Sequence, residues 1–233
     1  MKRIALLSAA ALFAFAACKK NDNNGGPSTG PTAKALFINA TLHESSLSVK
    51  VNDTLQQNAT NLTFLTNKGY MNVRSGNVKL GFIRTTDQGE IANITSALAT
   101  GSSYSVFAVG NGTTGSPSAI LVVSDDLTAP ASGTAKIRFA NLSAEPTFSL
   151  SAVVTNTNGT QKLDSNIATN VVTSFKTVTA GTYSITMGDN STLQSQTLTG
   201  QNLTSGKIYT YVFTGKDGAT GTSAFKLSSI GNN

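Results

Sequence analysis

The chain has 233 residues, of which 39% are hydrophobic and 12% charged, with a formal net charge of +6, one histidine, one cysteine and no tryptophan. Those counts exclude a disulfide framework and any metal centre built from clustered Cys and His. The basic residues are scattered, which argues against a nucleic-acid surface, and the many β-branched residues argue for packed strands rather than disorder.

The N-terminus opens on Lys2 and Arg3, followed by an apolar run from Ile4 to Ala17 broken only by Ser8. About 14 residues are too few for a hydrocarbon core that needs ~20 helical residues, so residues 1–17 read as a cleaved secretory signal peptide. Phe15-Ala16-Ala17-Cys18 ends the run on the sole cysteine. Two readings follow: ordinary cleavage that leaves a free thiol, or acylation of Cys18 with cleavage after Ala17. The second resembles the bacterial lipobox, with Phe15 in the place usually held by Leu. A lone exposed thiol is a liability in an exported protein, which favours lipidation. Two or more palmitate-type chains anchor stably where one does not. The expected partner of Cys18 is therefore a membrane. Lys19, rather than Asp, resembles the sorting pattern for the outer membrane of a Gram-negative bacterium, and Lys19-Lys20-Asn21-Asp22 resembles the charged export tags of surface lipoproteins. The expected location is the outer membrane, periplasmic or surface-exposed. Loss of Lys2 and Arg3, and of no acid, lowers the charge from +6 to +4.

Residues 18–32 form the lipidated Cys and a flexible tether, rich in Asn, Gly and Pro and unable to build a core. Its typical reach is ~20 Å. The body then reads as one unit written twice. Thr32-Ala33-Lys34-Ala35-Leu36-Phe37-Ile38-Asn39-Ala40 aligns with Thr134-Ala135-Lys136-Ile137-Arg138-Phe139-Ala140-Asn141-Leu142. An alternating segment follows in each, Leu47, Val49, Val51 against Phe148, Leu150, Ala152, Val154. Leu98-x-x-Gly101-x-x-Tyr104 aligns with Leu203-x-x-Gly206-x-x-Tyr209. The offset of 102 residues at Lys34 grows to 105 at Tyr104, which places a small insertion near Asn156 to Gly159.

The apolar period within each copy is two: Val78, Leu80 and Phe82 in the first, Tyr183, Ile185 and Met187 in the second. That is strand spacing with one face buried. Turn dipeptides recur at Ser75-Gly76, Thr100-Gly101, Asn158-Gly159, Ala180-Gly181 and Ser205-Gly206. About seven strands in about 95 residues per copy predict an all-β chain of two tandem immunoglobulin-like or transthyretin-like β-sandwich domains. The boundaries expected are 33–128 and 134–233, with 129–133 as a linker. Ile120 to Val123 and Phe225 to Leu227 are the expected closing strands, and the short linker predicts domains standing end to end. Tyr104 and Tyr209 are tyrosine-corner candidates, each near a strand start where its hydroxyl can bond back across a connection; a plain core role is the other reading.

Ala-Lys-x-x-Phe near the start of each copy, Ala180-Gly181-Thr182-Tyr183-Ser184-Ile185 and the Leu-x-x-Gly-x-x-Tyr element together resemble the domain-of-unknown-function family 4397. The resemblance spans roughly residues 33 to 230 and is stronger in the second copy, although Ala180 stands where Pro is usual and the first copy has Gly76-Asn77-Val78. It implies an exported protein, often a lipoprotein, built of repeated all-β domains. The family has no assigned catalytic residues, so none carry over.

Little in the sequence points to catalysis. His43, the only histidine, lies with Glu44 in an expected turn, and nothing resembles a nucleophile elbow. A hydrolase would need His43 as its base. No metal or cofactor site is expected: Asp125-Asp126 falls short of the six or more oxygens a hard cation wants and reads as a surface pair. Asp53-Thr54-Leu55 resembles an O-glycan acceptor triplet, which makes Thr54 a weak modification candidate. The expected function is a non-enzymatic cell-envelope lipoprotein with a structural, adhesive or binding role toward an envelope protein or glycan. A carbohydrate-binding surface lipoprotein is the alternative, weakened by the absence of Trp.

Overall fold

The structure is a computed structural model and describes residues 30–110, 119–189, 191 and 194–233. Cys18, the signal peptide and most of the tether lie outside the described residues. The fold is all-β, of the sandwich type, with short 3₁₀ turns at Gln57–Ala59 and Gly221–Ser223. Among the described residues no helix is long and apolar enough to cross a membrane.

The first half supplies β1 (Thr32–Ala40), β2 (Leu47–Val51), β3 (Thr54–Leu55), β4 (Met71–Arg74), β5 (Gly76–Arg84), β6 (Glu90–Leu98), β7 (Ser103–Val109) and β8 (Ala119–Asp125). These form two four-stranded sheets, β4-β1-β7-β8 and β3-β2-β5-β6. The second half supplies β9 (Thr134–Ser143), β10 (Ser149–Asn156), β11 (Gly159–Ala168), β12 (Val171–Val172), β13 (Lys176–Thr179), β14 (Gly181–Asp189), β15 (Ser195–Leu203), β16 (Ile208–Gly215) and β17 (Lys226–Gly231). Its sheets run β12-β9-β16-β17, with β13 also on β9, and β11-β10-β14-β15.

The alternation read from the sequence is the alternation that is buried. Leu47, Val49, Leu80 and Phe82 meet Phe37 and Val106 in one core, with Phe37 and Phe82 edge to face at 5.9 Å. Leu150, Ile185 and Met187 meet Phe139, Tyr211 and Phe213 in a second core. In both halves the first strand pairs parallel with the strand that opens at the repeated Tyr: Ala35 lies opposite Tyr104, and Ile137 opposite Tyr209. The halves differ most at their second hairpin. Asn52 and Asp53, with φ of 48° and 62°, turn β2 tightly into the two-residue β3. The insertion near Asn158-Gly159 instead lengthens the turn arm into the ten-residue β11.

The two halves do not stand end to end. They stack through a third cluster in which Leu36, Ile38 and Phe107 of the first half pack with Ala140, Leu142, Val212 and Ile230 of the second. The sheets holding β1 and β9 are therefore covered on both faces. Linker length alone could not show this; the outward-facing Leu36, Ile38 and Phe107 are what force it. Each large side chain so buried contributes about 1.5–3 kcal/mol, a gain that an end-to-end arrangement would leave in water.

Candidate functional site

The Leu-x-x-Gly-x-x-Tyr element has the same construction twice. Leu98 and Leu203 are buried at the ends of β6 and β15. Gly101 (φ 75°) and Gly206 (φ 80°) take the left-handed turn that follows, and their N–H groups donate to the carbonyls of Thr32 and Thr134 at 2.8 Å. The Tyr104 hydroxyl accepts from the Ala99 N–H at 2.9 Å, and the Tyr209 hydroxyl from the Thr204 N–H at 3.1 Å. Both rings also pack against their cores. The tyrosines thus brace the turn from β7 and β16, while the glycine N–H groups tie it to the first strand.

Asn39 and Asn141 are a second repeated device. Asn39 is fully buried; its amide donates to the carbonyls of Glu44 and Leu62 at 3.1 and 3.0 Å, and its Oδ1 accepts from the Thr41 N–H and hydroxyl. Asn141 does the same with Phe148, Ile167 and Ser143. Each closes the end of its first strand onto neighbouring backbone, Asn39 onto two loops and Asn141 onto a loop and the end of β11. The signal was present in the aligned Ile38-Asn39-Ala40 and Ala140-Asn141-Leu142, where a polar residue recurs inside an apolar run.

The remaining sequence candidates are scattered. His43 is exposed in the bend between β1 and β2, beside Glu44, whose Oε1 lies 3.5 Å from Arg84 Nη1. Thr54 is exposed on β3, next to Asp53, which pairs with Lys79 at 2.8 Å. Cys18 lies outside the described residues. Among the described residues no three His, Cys, Asp or Glu side chains cluster as a metal site would require. A cleft of about 330 Å³ opens between the β10–β11 hairpin and β13, lined by Asn156, Asn158, Thr160, Gln161 and Thr177 with Tyr183 at its wall. Its lining is neutral and polar.

The most organised polar cluster lies between the halves. Arg138, on β9, is 1% exposed. Its Nε donates to Thr210 Oγ1 at 2.9 Å, its Nη2 to Ser105 Oγ at 2.8 Å, and its Nη1 stands 2.7 Å from Asp125 Oδ1. That last leg is an ion pair rather than an aligned hydrogen bond, so Oδ1 keeps an unmatched lone pair. Asp125 Oδ2 accepts from Ser105 Oγ at 2.8 Å and from the Tyr70 hydroxyl at 2.6 Å. The Tyr70 hydroxyl accepts from Asn232 Nδ2 at 3.1 Å, and Thr210 Oγ1 donates to Asn232 Oδ1 at 2.7 Å. The guanidinium lies over the Phe175 ring at 4.2 Å. Burial, and then the Asp125 carboxylate, push the Tyr70 phenol above its ordinary pKa.

Asp125-Asp126 is thus not a surface pair. Asp125 is buried, because the residue that ends β8 faces the other half, and only Asp126 meets solvent. There the Lys136 ammonium at 2.7 Å and the Thr128 hydroxyl and N–H hold its pKa down at about 2. Such a network contains no exposed nucleophile and no open coordination position. What it can do is fix one surface against another.

Among known families, the chain matches the domain of unknown function DUF4397 over residues 33–151. That span takes in β1 to β9 and the start of β10, whereas the resemblance in the sequence had pointed more strongly to the second copy. No curated protein matches the chain. Since the match covers more than half of the 233 residues, the chain belongs to the DUF4397 family.

Proposed function

We propose that this protein is a non-enzymatic lipoprotein of the bacterial cell envelope, held to the outer membrane by acyl chains on Cys18 and serving a structural, adhesive or binding role. The observation that carries the reading is Phe15-Ala16-Ala17-Cys18 at the end of an apolar run too short to span a bilayer. The build of the body supports it. Repeated elements are spent on closing turns and strand ends, and the buried charge is spent on joining the halves. The edge strands β6 and β15 meanwhile carry Asn, Ser, Thr and Gln outward, with no charge between Ile91 and Leu98 or between Ser195 and Leu203. Uncharged strand edges of that kind are where extended partners add.

The test is processing in cells. Globomycin should cause a larger, uncleaved precursor to accumulate, labelled palmitate should enter the wild-type chain, and Cys18→Ser should abolish the label. Cleavage that proceeds normally under globomycin, with no acyl label, would overturn the anchor. A pull-down from intact cells with the anchor retained then identifies the envelope partner.

A second reading, glycan binding, is favoured by the neutral cleft beside β11, since Asn156, Asn158, Gln161 and Thr177 offer the uncharged donors and acceptors that suit sugar hydroxyls. A glycan array with no signal above background would remove it.

A further inference from the structure

We infer that the two sandwiches meet through one and the same face, presented twice about a pseudo-twofold axis, and that the Asp125–Arg138 charge pair makes each copy of that face accept the other copy and refuse its own kind.

The argument rests on strand register. On the first strands Leu36 is opposite Ser105, and Arg138 is opposite Thr210, so Leu36 and Arg138 are equivalent positions, as are Ser105 and Thr210. On the closing strands Tyr104 pairs with Ser124 and Tyr209 with Gly231, so the next residues, Asp125 and Asn232, are equivalent. Strands β4 and β13 occupy the same place on β1 and β9, which makes the residues just before them, Tyr70 and Phe175, equivalent as well. Every member of the polar network therefore has its counterpart either in the network or in the apolar cluster beside it. The internal bonds repeat too: Ser105 Oγ donates to Asp125 at 2.8 Å, and Thr210 Oγ1 donates to Asn232 at 2.7 Å. Tyr70 sits between Asp125 and Asn232, donating to the carboxylate of the first and accepting from the amide of the second. A surface that meets its own equivalent in this way is isologous.

Exact self-pairing has been broken in a consistent direction. Bulk is exchanged: Ile38 and Phe107 face a half whose equivalents are Ala140 and Val212, while Ala40 answers Leu142. Charge is exchanged as well, with Leu36 against Arg138 and Asn232 against Asp125. Two first faces brought together would bury two Asp125 carboxylates with no cation and crowd Phe107 against Phe107. Two second faces would bury two Arg138 guanidinium groups with no anion. Only the mixed pairing neutralises both charges, and a buried charge without its partner is among the costliest arrangements in a protein. The kind of partner this surface fits is the other repeat, from the same chain or from a second copy of it.

The test uses the full chain with a site-specific protease sequence inserted between Ala129 and Pro130, in the stretch that joins β8 to β9. After cleavage, isotope-labelled and unlabelled samples are mixed and native mass spectrometry reads which halves pair. For the unaltered chain the expected result is mixed pairs, exchanging partners, in more than about hundredfold excess over like pairs, the discrimination that losing one partner of a buried ion pair carries. Like pairs at comparable abundance in that sample would overturn the proposal without recourse to any variant. Asp125→Asn combined with Arg138→Leu makes the two faces alike in charge, and like pairs should then appear. Their absence, with mixed pairs retained, would also overturn it. Finally, Leu36→Arg and Asn232→Asp added to that double variant move the charge pair to the equivalent positions and should restore exclusive mixed pairing. If the double variant forms mixed pairs but the fourfold variant forms none, the two faces are not equivalent and the pseudo-twofold reading fails.

Discussion

In the first half Leu36 fills the position that Arg138 holds in the second, Asp125 at the end of β8 corresponds to Asn232 just past β17, and Phe107 stands where Val212 does. The devices that build each sandwich are kept the same across the two halves: the Leu-x-x-Gly-x-x-Tyr turn, the buried Asn at the end of the first strand, the parallel pairing of that strand. The devices that join the halves are made different. Two copies of one surface need the same residues to fold but unlike residues to recognise each other.

That contrast can be broken at several points. The largest effect is expected from Asp125→Ala, which strands a buried guanidinium and should cost about 3–5 kcal/mol. Asn232→Ala at the equivalent position should cost only about 1–3 kcal/mol, the loss of neutral bonds. Denaturant unfolding measures both, and equal losses would erase the distinction between the halves. Next come Asn39→Ala and Asn141→Ala, each removing a buried amide that donates to two backbone carbonyls and whose oxygen accepts from a neighbouring N–H and hydroxyl, and each expected to cost about 1–3 kcal/mol, with similar values in the two halves. Tyr104→Phe and Tyr209→Phe should fall lower, at about 0.5–1.5 kcal/mol apiece, since each removes one acceptor for a turn N–H.

A smaller, pH-dependent effect separates Tyr70 from its counterpart Phe175. The folded state raises the Tyr70 pKa, so the stability it carries is fully present below the unfolded value of ~10 and is lost as pH climbs through that value toward the raised one. The slope should be no more than about 1.4 kcal/mol per pH unit. Tyr70→Phe should flatten the alkaline limb of a stability profile, leaving the part owed to Tyr211, whose phenol is also raised by burial. The smallest effect belongs to Asp126. Its folded pKa of about 2 lies below the ordinary value, so its contribution is present above ~3.9 and fades as pH falls through 2. Because the group is exposed, Asp126→Asn should move the melting midpoint no more than an ordinary surface change.

The strands and the turn element were readable because they rest on local physics: a period of two, glycines where φ turns positive, and a tyrosine at a fixed spacing from the N–H that bonds to its hydroxyl. The order of strands was not, since nothing local says that β1 will lie parallel to β7, more than sixty residues on in the chain. The face-to-face stacking did leave a trace. Leu36-Phe37-Ile38 and Tyr211-Val212-Phe213 are consecutive apolar runs rather than alternations, the mark of a strand covered on both sides. Arg138 left one too, as a charge standing where its aligned repeat has Leu36, but taken singly it reads like any solvated arginine.

The position of β1 also decides how the body would bear load. The strand lies inside its sheet, laddered to β4 on one side and β7 on the other, and the chain enters it at Thr32. A pull from the N-terminal end acts along the strand axis, so it strains both ladders in shear at once instead of peeling bonds apart one by one.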